Sequence, residues 1–136
     1  LKSNTMKIKN TIIWILRLTA AIILLQTLFF KFSAAPVSVF IFSELNMEPW
    51  GRIGTGIAEL IAAILILYPK TTVYGAVLGL ALMAGAIFFH LTKLGIEVEN
   101  DSGKLFVLAI VVFLSCFILF LINFRRLIGK PSNPVA

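Results

Sequence analysis

The sequence predicts an all-α integral membrane protein, a four-transmembrane-helix bundle with a short interfacial helix between its first and second spans. Two observations predict this class. Of the 136 residues, 60% are hydrophobic and 13% are charged, and the mean hydropathy is +1.02, which leaves too few polar groups to coat a soluble domain. The apolar residues also form four runs, each close to the roughly 20 residues that a helix needs to cross a bilayer. We interpret residues 1–136 as a single transmembrane domain.

The first span is predicted at about residues 11–31. It follows a basic N-terminal stretch that includes Lys7 and Lys9. The apolar run is too long for the core of a secretory signal, and it contains Arg17 and Gln26. We therefore interpret it as a membrane helix and not as a cleaved leader.

The next segment, about 36–46, is too short to span a bilayer. Pro36 suits the first turn of a helix, and Val37, Ile41 and Leu45 recur at helical spacing. This pattern predicts a short helix that lies in the membrane interface or folds back into the outer leaflet.

The second span, about 49–68, has ends that suit a membrane and a charge at its centre. Pro49 suits a first helical position, and Trp50 and Tyr68 suit the two water interfaces. Glu59 lies near the middle, where an ionised carboxylate costs several kcal/mol unless it is paired, is protonated or faces a wet cavity.

The third span, about 72–91, carries Gly75 and Gly79 four residues apart. Small residues at this spacing let another helix approach closely. Two interpretations stay open, namely the interface of a homo-oligomer and packing within one chain's own bundle. A polar loop then leads into the fourth span, which is predicted at about 104–124.

Four spans place both termini on one side of the membrane. The positive-inside rule predicts that this side is cytoplasmic, because it holds seven basic residues and the other side holds four. The seven are Lys2, Lys7, Lys9, Lys70, Arg125, Arg126 and Lys130, and the four are Lys31, Arg52, Lys93 and Lys104.

The charged and metal-binding residue types exclude several function classes. The net charge of +6 comes from basic residues at the ends of apolar runs, so no nucleic-acid partner is predicted. Cys116 is the single cysteine and His90 the single histidine. This excludes a paired-thiol electron relay and a haem held by two histidines of one chain. We predict no metal site and no covalently bound cofactor.

Five polar side chains are predicted to form a ligand site on the side of the bilayer opposite the termini. At a rise of about 1.5 Å per residue, polar groups from different helices reach a similar depth there, and such convergence is what a site needs. The interfacial segment is predicted to roof the site. For Lys31 and His90 the alternative is that they turn outwards to water. The predicted ligand-binding residues are Gln26, Lys31, Arg52, His90 and Glu48, the last of which is placed to pair with Arg52 four residues on.

Arg17 and Glu59 are predicted to lie deeper. The same rise places them roughly 9 Å and 13 Å from the predicted cytoplasmic face. A guanidinium can span that difference, so we predict an intramembrane ion pair or a proton relay at these two residues. The alternative is that the two do not meet and Glu59 is protonated.

Several of these residues stand in an order that resembles a known family. Arg17 is followed by Leu-Phe-Phe-Lys-Phe, which ends at Phe32, and the sequence Gly-Ile-Ala-Glu-Leu-Ile-Ala-Ala surrounds Glu59. The third span closes on His90. Over roughly residues 16–126 this order resembles the DoxX family of small four-helix membrane proteins.

The DoxX resemblance implies a multi-pass protein of the bacterial cytoplasmic (inner) membrane. It also implies a quinone-site or anchoring subunit of a membrane-associated redox system, of the thiosulfate and quinone type or of the oxidative-stress type, with a redox partner protein. Arg52, Gln26 or His90 would then hydrogen-bond a quinone carbonyl, and Glu59 would relay a proton. The protein would be at most a non-catalytic or quinone-binding subunit of an oxidoreductase, and no catalytic residue is predicted.

Two other function classes fit the sequence. One is a binding or transport protein for a small anion or a lipid, in which Arg17, Arg52 and Lys31 supply positive charge. The other is a structural membrane partner with no chemistry of its own, in which the polar groups fix how the helices pack.

Overall fold

The computed structural model describes the backbone of residues 2–128 and the side chains of residues 3–125 and 128. Within this range the chain forms five α-helices, with a 3-10 turn at Pro69–Thr71 and a π-helical turn at His90–Leu94. Lys130, which contributes to the predicted orientation, lies outside the described residues. The helices are α1 (Lys2–Phe32), α2 (Pro36–Glu44), α3 (Trp50–Leu67), α4 (Thr72–Phe89) and α5 (Lys104–Leu127).

Four of the helical segments are long and apolar enough to cross a membrane, which makes the chain a multi-pass membrane protein. The predicted fold class, a helical membrane bundle with a short helix between the first two spans, is thereby confirmed. The four segments are Ser3–Phe32, Trp50–Leu67, Pro69–Leu94 and Lys104–Arg125.

The four long helices form a closed antiparallel ring. α1 packs against α3 and α5, and α4 packs against the same two helices, so α1 and α4 are the diagonal pair. α2 lies across one end, in contact with α1, α3 and the π-helical turn. We call that end, with the loop 95–103, the α2 side, and the opposite end, with residues 2–10 and 69–71, the terminal side.

Gly75 and Gly79 face the inside of this ring. A Cβ atom at Gly75 would lie 2.6 Å from the backbone nitrogen of Ile66 in α3, and one at Gly79 would lie 2.6 Å from Sγ of Cys116 in α5. Both glycines are buried, so they let neighbouring helices of the same chain approach closely. The structure therefore favours packing within the chain over the interface of a homo-oligomer at these residues.

Several helix ends lie two or more residues from the predicted bounds, and among them α5 ends at Leu127 and not near residue 124. α1 begins at Lys2 and not near residue 11, because the polar residues before the apolar run contain no glycine or proline to stop a helix. α2 ends at Glu44 and not near residue 46. Asn46 has a φ of 58°, a left-handed conformation that ends the helix and turns the chain towards α3.

Candidate functional site

A cavity of about 290 Å³ lies inside the α2 side of the bundle. All five helices line it, and α2 covers it with Val37, Ser38 and Phe42. It therefore lies where the sequence placed a site roofed by the interfacial segment. Most of the wall is apolar. Its polar and charged side chains are Thr27, Lys31, Ser38, Thr55, Glu59 and His90.

An ion pair between α1 and α3 stands in the wall of this cavity. Nζ of Lys31 lies 3.1 Å from Oε1 of Glu59, with the two side chains 14% and 3% exposed. The hydroxyl of Thr27 lies 3.2 Å from Oε2 of Glu59 and 3.0 Å from the carbonyl of Leu24. The hydroxyl has a single hydrogen, which it donates either to the carboxylate or to the Leu24 carbonyl, so Lys31 is the donor on which the buried charge depends.

The ion pair predicted between Arg17 and Glu59 does not form. Nε of Arg17 donates to the carbonyl of Ile66 at 2.9 Å and Nη2 donates to that of Leu67 at 2.7 Å, while the guanidinium carbon lies 4.0 Å from the ring centroid of Trp14. Arg17 and Glu59 point towards opposite ends of the bundle, because side chains tilt towards the N-terminus of their helix and α1 and α3 are antiparallel. Arg17 therefore points to the terminal side, away from Glu59, whereas Lys31 points back into the bundle.

Arg52 forms the predicted pair with Glu48. Its Nε lies 2.8 Å from Oε1 and 3.0 Å from Oε2 of Glu48, and its Nη1 donates to the backbone carbonyl of Lys31. Neither Arg52 nor Glu48 is among the residues that line the cavity. Arg52 instead fixes the last turn of α1 against α3.

Gln26 was predicted to share the site, and the structure places it elsewhere. Its side chain is exposed on the outside of the bundle and does not line the cavity. At 100° per residue, Thr27 and Lys31 share a face of α1 because they are four positions apart, and Gln26 is turned away from that face. Gln26, Arg52 and His90 were predicted to converge on the site. Of these three, Gln26 and Arg52 do not line the cavity, and His90 does.

The three hydroxyl side chains of the cavity were not among the predicted site residues. Thr27 precedes Lys31 by four residues, and Thr55 precedes Glu59 by four residues. This spacing puts each threonine on the same helix face as the charged residue, so the signal was present in the sequence. Ser38 on α2 had no comparable signal, since no charged residue stands four positions from it.

His90 occupies the first position of the π-helical turn that extends α4. It is 5% exposed, and its Nδ1 lies 2.9 Å from the carbonyl oxygen of Gly95. Gly95 has a φ of 80°, in the left-handed region that favours glycine. The ring also makes an edge contact with Phe106, at 5.6 Å between centroids. His90 and Lys31 both face inwards, so the alternative that they turn to water is wrong.

Asp101 organises the loop beside His90. Its Oδ1 accepts from the backbone N–H groups of Val98 at 3.0 Å and Gly103 at 2.8 Å, and its Oδ2 accepts from that of Leu105 at 3.1 Å. Burial raises the pKa of Asp101, but the hydrogen bonds from the three N–H groups, together with the electrostatic effect of the nearby His90, outweigh it and hold the pKa below its usual value. The loop between α4 and α5 is thus fixed by His90 at one end and by Asp101 at the other.

The part of the chain between residues 2 and 128 contains no group of three or more histidine, cysteine, aspartate or glutamate side chains placed to hold a metal ion. Comparison with protein-family models, with curated proteins and with solved structures found no match to this chain. The resemblance to the DoxX family stays a prediction from the residues quoted above.

Proposed function

We propose that the protein binds the ring of a quinone in the α2-side cavity, as a quinone-site or anchoring subunit of a membrane-associated redox system. The observation that carries this proposal is an apolar cavity whose hydrogen-bonding groups, the pair of Lys31 with Glu59 and the ring of His90, come from different helices around it. Lys31 stands on α1 and His90 extends α4, and these two helices are diagonal in the ring. An apolar cleft with a few hydrogen-bonding groups is what a quinone needs.

The size of the cavity supports a ligand the size of one ring. Its volume of about 290 Å³ lies at the lower limit of ordinary ligand pockets, roughly 300 to 1,000 Å³. A substituted benzoquinone ring fits this class, and an isoprenoid tail would extend between the helices into lipid.

The charges favour an uncharged ligand over a small anion. Lys31 is neutralised by Glu59, and Arg17 and Arg52 are engaged with backbone carbonyls and with Glu48. Neither arginine lines the cavity, so of the three cations on which the anion alternative rested only Lys31 faces it, and Glu59 balances that charge. Glu59 is the carboxylate that lines the cavity, and we propose it as the group that relays a proton.

A glycine in the cavity wall provides the sharpest test. A Cβ atom at Gly85 would meet no atom within 4 Å, and Gly85 lines the cavity, so Gly85→Leu is expected to fill the cavity without displacing a helix. Gly54 also has open space around it and does not line the cavity. Gly54→Leu is therefore a matched control.

The measurement is binding of a benzoquinone with one prenyl unit to protein in nanodiscs, by calorimetry and by thermal shift. At ten times the dissociation constant, binding adds about 1.4 kcal/mol to stability, which raises Tm by a few degrees. Wild type and Gly54→Leu are expected to show this shift and Gly85→Leu to lack it. Equal binding by Gly85→Leu, or a shift with phospholipid but none with quinone, would contradict the proposal.

We further propose a bacterial cytoplasmic membrane as the location, with both termini in the cytoplasm, on the count of basic residues. Asn100 is exposed in the α2-side loop and Lys70 is exposed at the terminal side. In a Cys116→Ala background, Asn100→Cys should react with a membrane-impermeant thiol reagent in intact cells and Lys70→Cys should not. The reverse labelling pattern would overturn the orientation.

A further inference from the structure

The ring of His90 presents an unused hydrogen-bond acceptor. Its Nδ1 is bonded to the carbonyl oxygen of Gly95, and a carbonyl oxygen only accepts, so Nδ1 carries the proton. In a neutral imidazole Nε2 then holds a lone pair and accepts. Within residues 2–128 the structure gives Nε2 no hydrogen-bond partner, although the ring is 5% exposed and lines the cavity.

The two redox forms of a quinone differ in what they offer such an acceptor. The carbonyl oxygens of the oxidised ring only accept hydrogen bonds, whereas the hydroxyls of the reduced ring, the quinol, also donate. Resting on the function proposed above, we propose that the cavity prefers the quinol to the quinone, because one ring hydroxyl donates to Nε2 of His90.

Lys31 in the opposite wall does not make this distinction. The ammonium of Lys31 carries three N–H donors, and Glu59 is its single ion-pair partner within the described residues. A remaining donor serves a quinone carbonyl and a quinol oxygen alike, since both accept. The carboxylate of Glu59 accepts from Lys31 and keeps further lone pairs, so a quinol hydroxyl can donate to it as well as to His90. The preference is assigned to His90 because its Nε2 has no partner in the part of the chain that the structure describes, and His90→Phe tests this assignment.

The expected preference follows from one hydrogen bond between neutral groups. Such a bond in a buried site corresponds to a roughly two- to tenfold change in dissociation constant. The binding of a short-tail benzoquinol, of the corresponding benzoquinone and of the quinol's dimethyl ether is measured by calorimetry without oxygen. The dimethyl ether keeps the ring oxygens of the quinol and lacks its donors, so it tests the inference on unaltered protein.

Wild type is expected to bind the quinol roughly two- to tenfold more tightly than both the quinone and the ether. In His90→Phe, which keeps a flat ring beside Phe106, the three ligands are expected to bind with similar affinity. Gln26→Leu, on the lipid-facing side of α1, is the control and should keep the wild-type preference.

The outcomes separate the two proposals. If the quinone or the ether binds wild type as tightly as the quinol, the role of His90 is overturned while the quinone site stands. If no ring ligand binds, the proposed function fails and this inference with it. If His90→Phe does not fold, the comparison of quinol with ether on wild-type protein still tests the preference for the reduced ring, and equal binding of the two overturns it.

Discussion

Glu59→Gln is expected to destabilise the bundle by about 2 kcal/mol, and adding Lys31→Met is expected to recover most of that loss. The reason lies in the burial of the pair, in which Glu59 is 3% and Lys31 14% exposed. Removing one partner of a buried ion pair typically costs about 3 to 5 kcal/mol, because the other charge is left uncompensated. Lys31 stands near the end of α1, where its ammonium can turn towards water, which is why we expect a value below that range.

Lys31→Met alone is expected to cost more, about 3 kcal/mol, because Glu59 lies in the middle of α3 and cannot reach water. The double variant replaces the pair by two neutral side chains and should fall within about 1 kcal/mol of wild type. The two single losses sum to about 5 kcal/mol, so a double variant within about 1 kcal/mol of wild type corresponds to a coupling energy of at least about 4 kcal/mol.

The assay is unfolding in mixed micelles, followed by circular dichroism as the fraction of denaturing detergent rises. Gln26→Leu replaces a polar side chain by an apolar one on the exposed face of α1 and should leave the midpoint unchanged. Additive losses for Lys31→Met and Glu59→Gln would refute the reasoning, since they would mean that the two charges do not interact.

Three further variants test the packing and the loop. Arg17→Met should cost about 2 to 4 kcal/mol in the same assay, because it removes two buried charge-assisted hydrogen bonds, and a smaller loss than 1 kcal/mol would contradict this. Gly75→Ala should cost about 1 to 3 kcal/mol through overpacking, whereas Gly54→Ala, in open space, should be neutral or stabilising. The pKa of Asp101 is lower in the folded protein than its value of about 4 in the unfolded chain. Its carboxylate therefore stabilises the fold at pH values above about 4, and this contribution is lost as the pH falls through the folded pKa. Midpoints measured from pH 6 to pH 3 should therefore fall further for wild type than for Asp101→Asn, and parallel curves would rule this out.

The elements that local sequence determines were predicted well. The four spans follow from the length of apolar runs, and α2 follows from Pro36 and the helical spacing after it. The pair of Glu48 and Arg52 follows from their spacing of four residues on one stretch of chain. Each of these depends on neighbours in sequence and on the thickness of a bilayer, both of which are known before folding.

The partners across helices were harder to predict, because they depend on how each helix is rotated about its axis. Depth alone placed Arg17 near Glu59, but the tilt of side chains towards the N-terminus separates them and brings Lys31 to Glu59. Rotation also turned Gln26 outwards and Thr27 inwards. The pattern of Gly75 and Gly79 was equally compatible with a second copy and with the chain's own helices, and only the packed ring distinguishes the two.

Arg17 of α1 and Arg52 of α3 join these two helices at opposite ends of the bundle. Arg17 of α1 donates to the last carbonyls of α3, and Arg52 of α3 donates to a last-turn carbonyl of α1. The final carbonyls of a helix have no intrahelical donor and carry its negative dipole end. In a bilayer these carbonyls must find hydrogen-bond donors within the protein. A cationic donor also stabilises the negative end of the helix dipole.

These contacts explain why the cavity is nearly neutral although three basic residues, Arg17, Lys31 and Arg52, lie in the bundle interior or near it. Each guanidinium group donates to carbonyls at the end of a helix, which offsets the cost of burying its charge. Glu48 also balances the charge of Arg52. Lys31 is the cation turned into the cavity, and Glu59 balances it there. Since the structural cations and the cavity groups are separate, a variant at Arg17, on the terminal side, should change stability without changing ligand affinity. Gly85→Leu, which enters open space, should lower ligand affinity without lowering stability, and that division is what distinguishes a binding protein from a purely structural partner.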